Sequence, residues 1–262
     1  MGKLLILNAI AGCSLLLVLI ESISGHGGFP TPTPACGLLP NGVLALDFSI
    51  APDGFNPPRK LNHAELVHPY LWALWGITVT TNNPTFHKPQ ILNSALVVEG
   101  ENSDLDLGTP NEYYGGPGVG HGGEPNMIGE NAVFLGNLLI ISEKNTHADD
   151  YAGGGNITFS FAQPMSLAYI DFVDIDLDEV DGYVVAYDRD GGIIMKQAIL
   201  ALGNNAYIKL VFEVLNVKKL VVHFAGSGGM LMVSTVCLDV QILLKFENYS
   251  AFDDFLSQEL LH

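Results

Sequence analysis

Positive charge is almost missing from the middle third of this chain. Between Glu99 and Asp181 sixteen Asp and Glu face one base, Lys144, so −15 of the net −17 lies there. A field of that sign repels nucleic acid and anionic membrane, which excludes both as partners, and it attracts cations or basic partners. Cysteine is scarce, with only Cys13, Cys36 and Cys237. The eight histidines show no zinc spacing; His63 and His68, five apart, would fall on different sides of a helix. Ser227 in Gly226-Ser227-Gly228 lacks the Gly-x-Ser-x-Gly frame of a nucleophile elbow. Gly118-Val119-Gly120-His121-Gly122-Gly123 fits the spacing of a dinucleotide fingerprint. No apolar strand leads into it, however, and Glu124-Pro125 stands where a helix would open. No nucleophile, base and orienting group assemble from recognised spacing, so the expectation is that the protein is not an enzyme.

Long apolar runs are also few. The one present, Leu4–Ile20, follows Lys3 and precedes the small residues Ser22-Ile23-Ser24-Gly25. That is the layout of a secretory signal peptide over residues 1–25. An uncleaved anchor is a rival reading, since the run of about 17 residues is at the lower edge of what spans a bilayer. A lipoprotein signal is another, because Ile10-Ala11-Gly12-Cys13 resembles a lipobox, but the apolar run continues past the cysteine. Secretion without a membrane tether, into an extracellular matrix, is the expectation. Cys36 and Cys237 then remain as an even pair in an oxidising compartment, and a Cys36–Cys237 disulfide is expected, with two free thiols as the alternative. The sequons at Asn156 and Asn248 fit the same compartment as glycosylation sites.

What is plentiful is strand signal. Val43–Phe48, Ile77–Thr81, Leu138–Ile141, Ile157–Phe161, Tyr183–Tyr187, Ile193–Met195, Tyr207–Phe212, Leu220–Phe224 and Val233–Leu244 are short β-branched or alternating runs with turn chemistry between them. Asp188-Arg189-Asp190-Gly191-Gly192 joins two of them as a hairpin. The pattern predicts an all-β, jelly-roll-like β-sandwich over residues 43–246, behind a Pro-rich lead-in at 26–42. At 247–262 Phe252, Phe255, Leu256 and Leu260 have one-face spacing, so the tail is a short helix or simply frayed. His63–Val67 is read as a turn or two of helix before Pro69. Gly100–Glu130 is a long Gly-, Asn-, Pro- and Asp-rich loop, functional or disordered.

Six acids fall within eleven residues from Asp171 to Asp181. On a strand, Asp174, Asp176 and Asp178 would share a face, and carboxylates so close repel unless a cation sits among them. Calcium suits the cluster because it takes roughly six to eight oxygens in flexible geometry; a merely solvated acidic face is the alternative. Asp104-Leu105-Asp106-Leu107-Gly108-Thr109-Pro110-Asn111 adds a second alternating pair. Glu143 follows the strand at 138–141, and Asp149-Asp150 lie in the next turn, so a composite site from several loops is physically sensible. The expected calcium ligands are drawn from Asp104, Asp106, Asn111, Glu143, Asp174, Asp176 and Asp178.

Several of these segments together carry a resemblance. They are Leu46-Asp47-Phe48, Trp75–Val79, Asp104–Asn111, Gly115–Gly120, Leu135–Glu143, Gly153–Phe159 and Asp174-Ile175-Asp176. The chain resembles a secreted β-sandwich domain of large bacterial surface proteins and, among animal proteins, the acidic skeletal organic matrix proteins of stony corals. The resemblance implies a role in the organic matrix of a calcium carbonate skeleton, with mineral or matrix components as partners. Modules of this kind often follow Gly-Ser-Gly-Ala with an aspartate-bearing last strand. Here Met230-Leu231-Met232-Val233 follows Gly226–Gly229, without that aspartate. The alternative function is a carbohydrate-binding or adhesive module, with Tyr113-Tyr114 as a candidate platform for glycans; the third is a glycosidase-like enzyme.

Overall fold

The computed structural model describes residues 43–52, 59–83, 85–97 and 104–236. Every described residue belongs to one compact unit. The signal segment, Cys36, Cys237, Asn248 and the tail all lie outside the described residues.

Apart from single 3-10 turns, the regular structure of the described residues is antiparallel strand. The strands are β1 Val43–Leu46, β2 Ile50–Ala51, β3 Arg59–Lys60, β4 Ile77–Thr81, β5 Pro89–Asn93, β6 Asn137–Ile141, β7 Gly155–Ile175, β8 Tyr183–Tyr187, β9 Ile193–Ala198, β10 Gly203–Phe224 and β11 Gly229–Val236. Two very long strands make the sandwich. The first part of β7 pairs with β4 and with the end of β10, which carries β8 and then β9. The second part of β7 pairs with the start of β10 and with β11, which carries β6, β5 and β1. Between the parts the β7–β10 register slips repeatedly from Val211 to Lys219. The slips fall where Pro164 cannot donate to the ladder and where Asn216 takes a left-handed φ of 61°. Bulges of this kind bend a strand and sharpen its twist, so one continuous sheet folds over on itself into two layers.

Sequence alternation explains which side chains meet. Ile77, Val79, Ile157, Phe159, Phe161, Val184, Ala186, Leu220 and Val222 point inward from the first layer. They pack in one core with Ile91, Leu139, Ile141, Ile170, Phe172, Ile208, Leu210 and Met230 from the second. The runs expected at 157–161, 207–212 and 220–224 are parts of β7 and β10. Alternation cannot show that two runs are one strand when a bend breaks the pattern. β5 was not expected, because Pro89 opens it and Gln90 interrupts its apolar residues. The segment at His63 is a turn with an isolated bridge from Leu66 to Gln90, not helix. Ala64 there has a φ of 61°, outside helical space. The Asp188 hairpin forms as expected, with Asp188 Oδ1 accepting from the amides of Asp190 and Gly192.

The Gly-rich loop is an ordered cover, not a disordered excursion. Leu107, packed with Leu92, Leu138, Ile140, Val173 and Leu231, forms a second apolar cluster on the outer face of the second layer. Polar side chains replace a larger core here. Asn205, fully buried, donates from Nδ2 to the carbonyls of Asp106 (2.6 Å) and Gly108 (2.7 Å), and its Oδ1 accepts from Asn111 at 2.8 Å. Asn131 donates to the Asn205 carbonyl, and Thr109 and Ser94 pair their hydroxyls at 2.6 Å. The glycines of the false nucleotide fingerprint have a packing reason. A Cβ on Gly118 would lie 2.3 Å from the Gly108 carbonyl oxygen, and one on Gly123 would lie 2.5 Å from Asn205 Oδ1.

Candidate metal centre

Three distant segments of chain converge where β7 ends and β11 begins. The cover brings Asp104 and Asp106. The turn after β6, bridged from Ser142 to Asp150, brings Asp149 and Asp150. The end of β7 brings Asp174 and Asp176. Asp104, Asp149 and Asp150 each offer a carboxylate oxygen within 4.8 Å of the other two. The Asp104 carboxyl is also within hydrogen-bonding reach of Asp106.

The cluster lies largely out of water. Asp174 is 0 % exposed and Asp150 6 %. One oxygen of each is used by backbone: Asp174 Oδ1 accepts from Asn205 N at 2.8 Å, and Asp150 Oδ2 accepts from Gly228 N. The other oxygen of each is buried without a partner, and so are Asp106 Oδ1 and Asp176 Oδ1. Asp174 holds a left-handed φ of 65°, as does Asn205 opposite it at 64°. Asp and Asn tolerate that conformation better than other non-glycine residues. A strained backbone held this way is typical of a ligand clamp.

Burial is the leading cause of every pKa shift here, and the neighbouring carboxylates add to it. Asp106 is pushed up to about 10, by burial and then by Asp104 and Asp174. Asp174 goes up to about 7, by burial and by Asp176 and Asp104, against the opposing bond from Asn205. Asp149 goes up to about 6, by burial and then Glu143. Asp150 is raised well above the usual carboxylate range, by burial and then Asp104. Among the leading influences on these groups, the one basic side chain is Lys144, beside Asp149. Buried oxygens without partners cost several kcal/mol, by general desolvation estimates, until a proton or a cation reaches them. An all-carboxylate set of hard oxygens suits calcium, not zinc or copper.

Four of the expected ligands, Asp104, Asp106, Asp174 and Asp176, are brought together. Glu143 and Asp178 are exposed at the rim, Glu143 beside Asp149 and Asp178 beside Asp176. Asn111 stands one residue further off. Its Oδ1 accepts from Tyr113 N and its Nδ2 donates to Gly120 O and Asn205, so its amide holds the cover in place. The one-face array expected of Asp174, Asp176 and Asp178 does not form, because β7 stops at Ile175 and the chain turns. Glu179 secures that turn: its carboxylate accepts from Asp176 N and from Ser227 N and Oγ. Asp149 and Asp150 were noted only as neighbours of Glu143. Nothing in their local sequence says that only β11 separates β6 from the end of β7. The Tyr113-Tyr114 pair is exposed, with Tyr114 Oη donating to Glu130. Asn156 lies on β7, half-buried, with Oδ1 2.7 Å from His223 Nδ1.

No family model matches the chain and no curated protein matches it. Among solved structures it is similar to a Streptococcus pneumoniae fucose binding module, SpX-3. The identity is 16% over 33% of this chain and 66% of that one, with a TM-score of 0.24. It is also similar to the lectin domain of lectinolysin complexed with Lewis B antigen, at 10% identity over 33% and 66% of the two chains and a TM-score of 0.25. A third is the family 32 carbohydrate-binding module of NanJ from C. perfringens in complex with galactose. There the identity is 9% over 60% of this chain and 98% of that one, with a TM-score of 0.26. The chain thus spans about two thirds of the first two of these structures.

Proposed function

We propose that this is a secreted, non-catalytic calcium-binding β-sandwich protein of an extracellular matrix. Its calcium centre is formed by Asp104, Asp106, Asp149, Asp150, Asp174 and Asp176. One observation carries the reading: four buried carboxylate oxygens from three chain segments have no hydrogen-bond partner. Such an arrangement is unfavourable as it stands and favourable around a divalent cation. The matrix setting, and the organic matrix of a calcified skeleton within it, are supported by the secretory layout, by the charge concentrated between Glu99 and Asp181 and by the resemblance to coral matrix proteins. Mineral contact falls to the exposed rim acids Glu143 and Asp178, since Asp174 is buried. Calcium titration of the chelator-treated protein by calorimetry tests the centre. The expected result is saturable binding with a rise in melting temperature, which follows because calcium binds the folded state alone. An unchanged melt between chelator and millimolar calcium would defeat it.

A second reading, a carbohydrate-binding or adhesive module, is favoured by a separate observation: the outward face of the first layer carries two tyrosines and no acid.

A further inference from the structure

The outward face of the first layer can be read from the strand register. One row across it runs Asn156, His223, Tyr183, Ala198; the next runs Thr158, Val221, Val185, Lys196; the third runs Ser160, Lys219, Tyr187, Ile193. Thr80 and Thr78 of β4 extend the second and third rows. No Asp or Glu occurs in these rows, in a protein of net charge −17. The nearest acids are marginal: Asp181, whose charge reaches His223, and Asp188 in the turn after Tyr187.

The aromatic rings are organised. Lys196 Nζ stands 4.2 Å from the Tyr183 ring centroid and Lys219 Nζ 3.9 Å from that of Tyr187. His223 packs on the other flank of Tyr183 at 4.7 Å. Among the described residues neither lysine is in an ion pair, and each ammonium group rests on a ring. Hydroxyls and unpaired cations on one sheet face match one chemistry: sugar hydroxyls meet Ser and Thr, and acidic groups meet lysine.

We propose that this face binds an acidic polysaccharide, with Lys196 and Lys219 as the charge-selective contacts and Tyr183 and Tyr187 as the rings that hold the two ammonium groups in place. The assignment rests on the glycan-binding reading and is independent of the calcium centre, which involves none of these residues. Charge complementarity favours a polyanion over a neutral glycan, because the acid-free face is the exception on an acidic protein.

The test titrates the full chain with heparin oligosaccharide, and with dextran of matched length as the neutral control, in chelator at low and moderate salt. Heparin should bind, dextran should not, and affinity should fall as salt rises. Lys196→Gln with Lys219→Gln should weaken heparin binding at least tenfold at an unchanged melting temperature, and Tyr183→Ala with Tyr187→Ala should do the same. Lys196 is exposed, Lys219 half-buried, and neither is in an ion pair among the described residues, so the lysine variant decides the matter if the tyrosine variant fails to fold. No heparin binding, or binding equal in wild type and lysine variant, overturns the proposal. Dextran binding untouched by either variant overturns this face as the site but leaves the glycan reading standing. Self-association at low salt that the lysine variant abolishes also overturns it, since the face would then serve the acidic pole of a second copy.

Discussion

At the scale of single residues, the chain spends polar groups where a larger protein would spend apolar ones. Asn205 joins β10 to the cover with three side-chain bonds and joins the cover to the carboxylates through its own amide. Replacing it with alanine removes a donor from the Asp106 and Gly108 carbonyls and an acceptor from the Asn111 amide, and should cost about 3 kcal/mol in denaturant unfolding. A loss under about 1 kcal/mol would mean that water takes over those bonds. Asp174→Asn has a different signature. It keeps an oxygen for the Asn205 amide and removes a buried charge, so without metal it should melt at or above the wild-type temperature, while the calcium-induced rise shrinks. A full calcium response in this variant would remove Asp174 from the ligand set.

At the scale of elements, the segment from Asp104 to Gly136 is held by few apolar side chains and many backbone and amide bonds, and its first two acids enter the carboxylate cluster. On the proposed reading, a cation there would tie the cover to the turn after β6 and to the end of β7. Local opening should follow the weakest tie. Hydrogen exchange in chelator should therefore speed up over residues 104–136 and leave Phe159 and Leu220, in the middle of the first layer, protected. Equal acceleration everywhere would show instead that the metal supports the whole sandwich. Much of the element plan was legible. β4, the Asp188 hairpin and the strand at 138–141 follow from alternation and turn chemistry, which depend on neighbours in sequence. The fusion of separate runs into β7 and β10 was not legible, because bulges at Val211–Lys219 break the period that identifies a strand.

At the scale of the whole molecule, the acids set the pH response. The carboxyl groups of Asp149 and Asp174 titrate in the folded metal-free state at about 6 and about 7, above the value near 3.9 of an unfolded aspartate. Between those values the folded state holds more protons than the unfolded one. Their stabilising share is therefore complete below about pH 4 and is lost as pH rises through 6 and 7. Glu65, held low by its bond to Arg59, works in the opposite sense but titrates below that window. Calorimetry in chelator should give a lower melting temperature at pH 8 than at pH 5, and saturating calcium should reverse the order, since metal displaces those protons. A chelated protein that melts higher at pH 8 would contradict the burial of these groups. The Cys36–Cys237 bridge remains an expectation at this scale. Closing about 200 residues, it could contribute roughly 4 to 5 kcal/mol. A non-reduced digest with both cysteines alkylated would refute it.

The amino-acid sequence alone determined the β character of the chain, its acidic middle and the presence of carboxylates in a calcium-like density. Each of these depends on composition or on the two-residue period of a strand. The tertiary structure decided which carboxylates meet. Asp150 joins Asp104 and Asp174 because β6 and β7 lie on either side of β11 in one layer, a contact between segments far apart in the chain that no local pattern encodes. It also decided that Asp174 points into the protein and not toward a mineral, because a left-handed residue at the end of β7 turns the chain before the acidic run can continue as a strand.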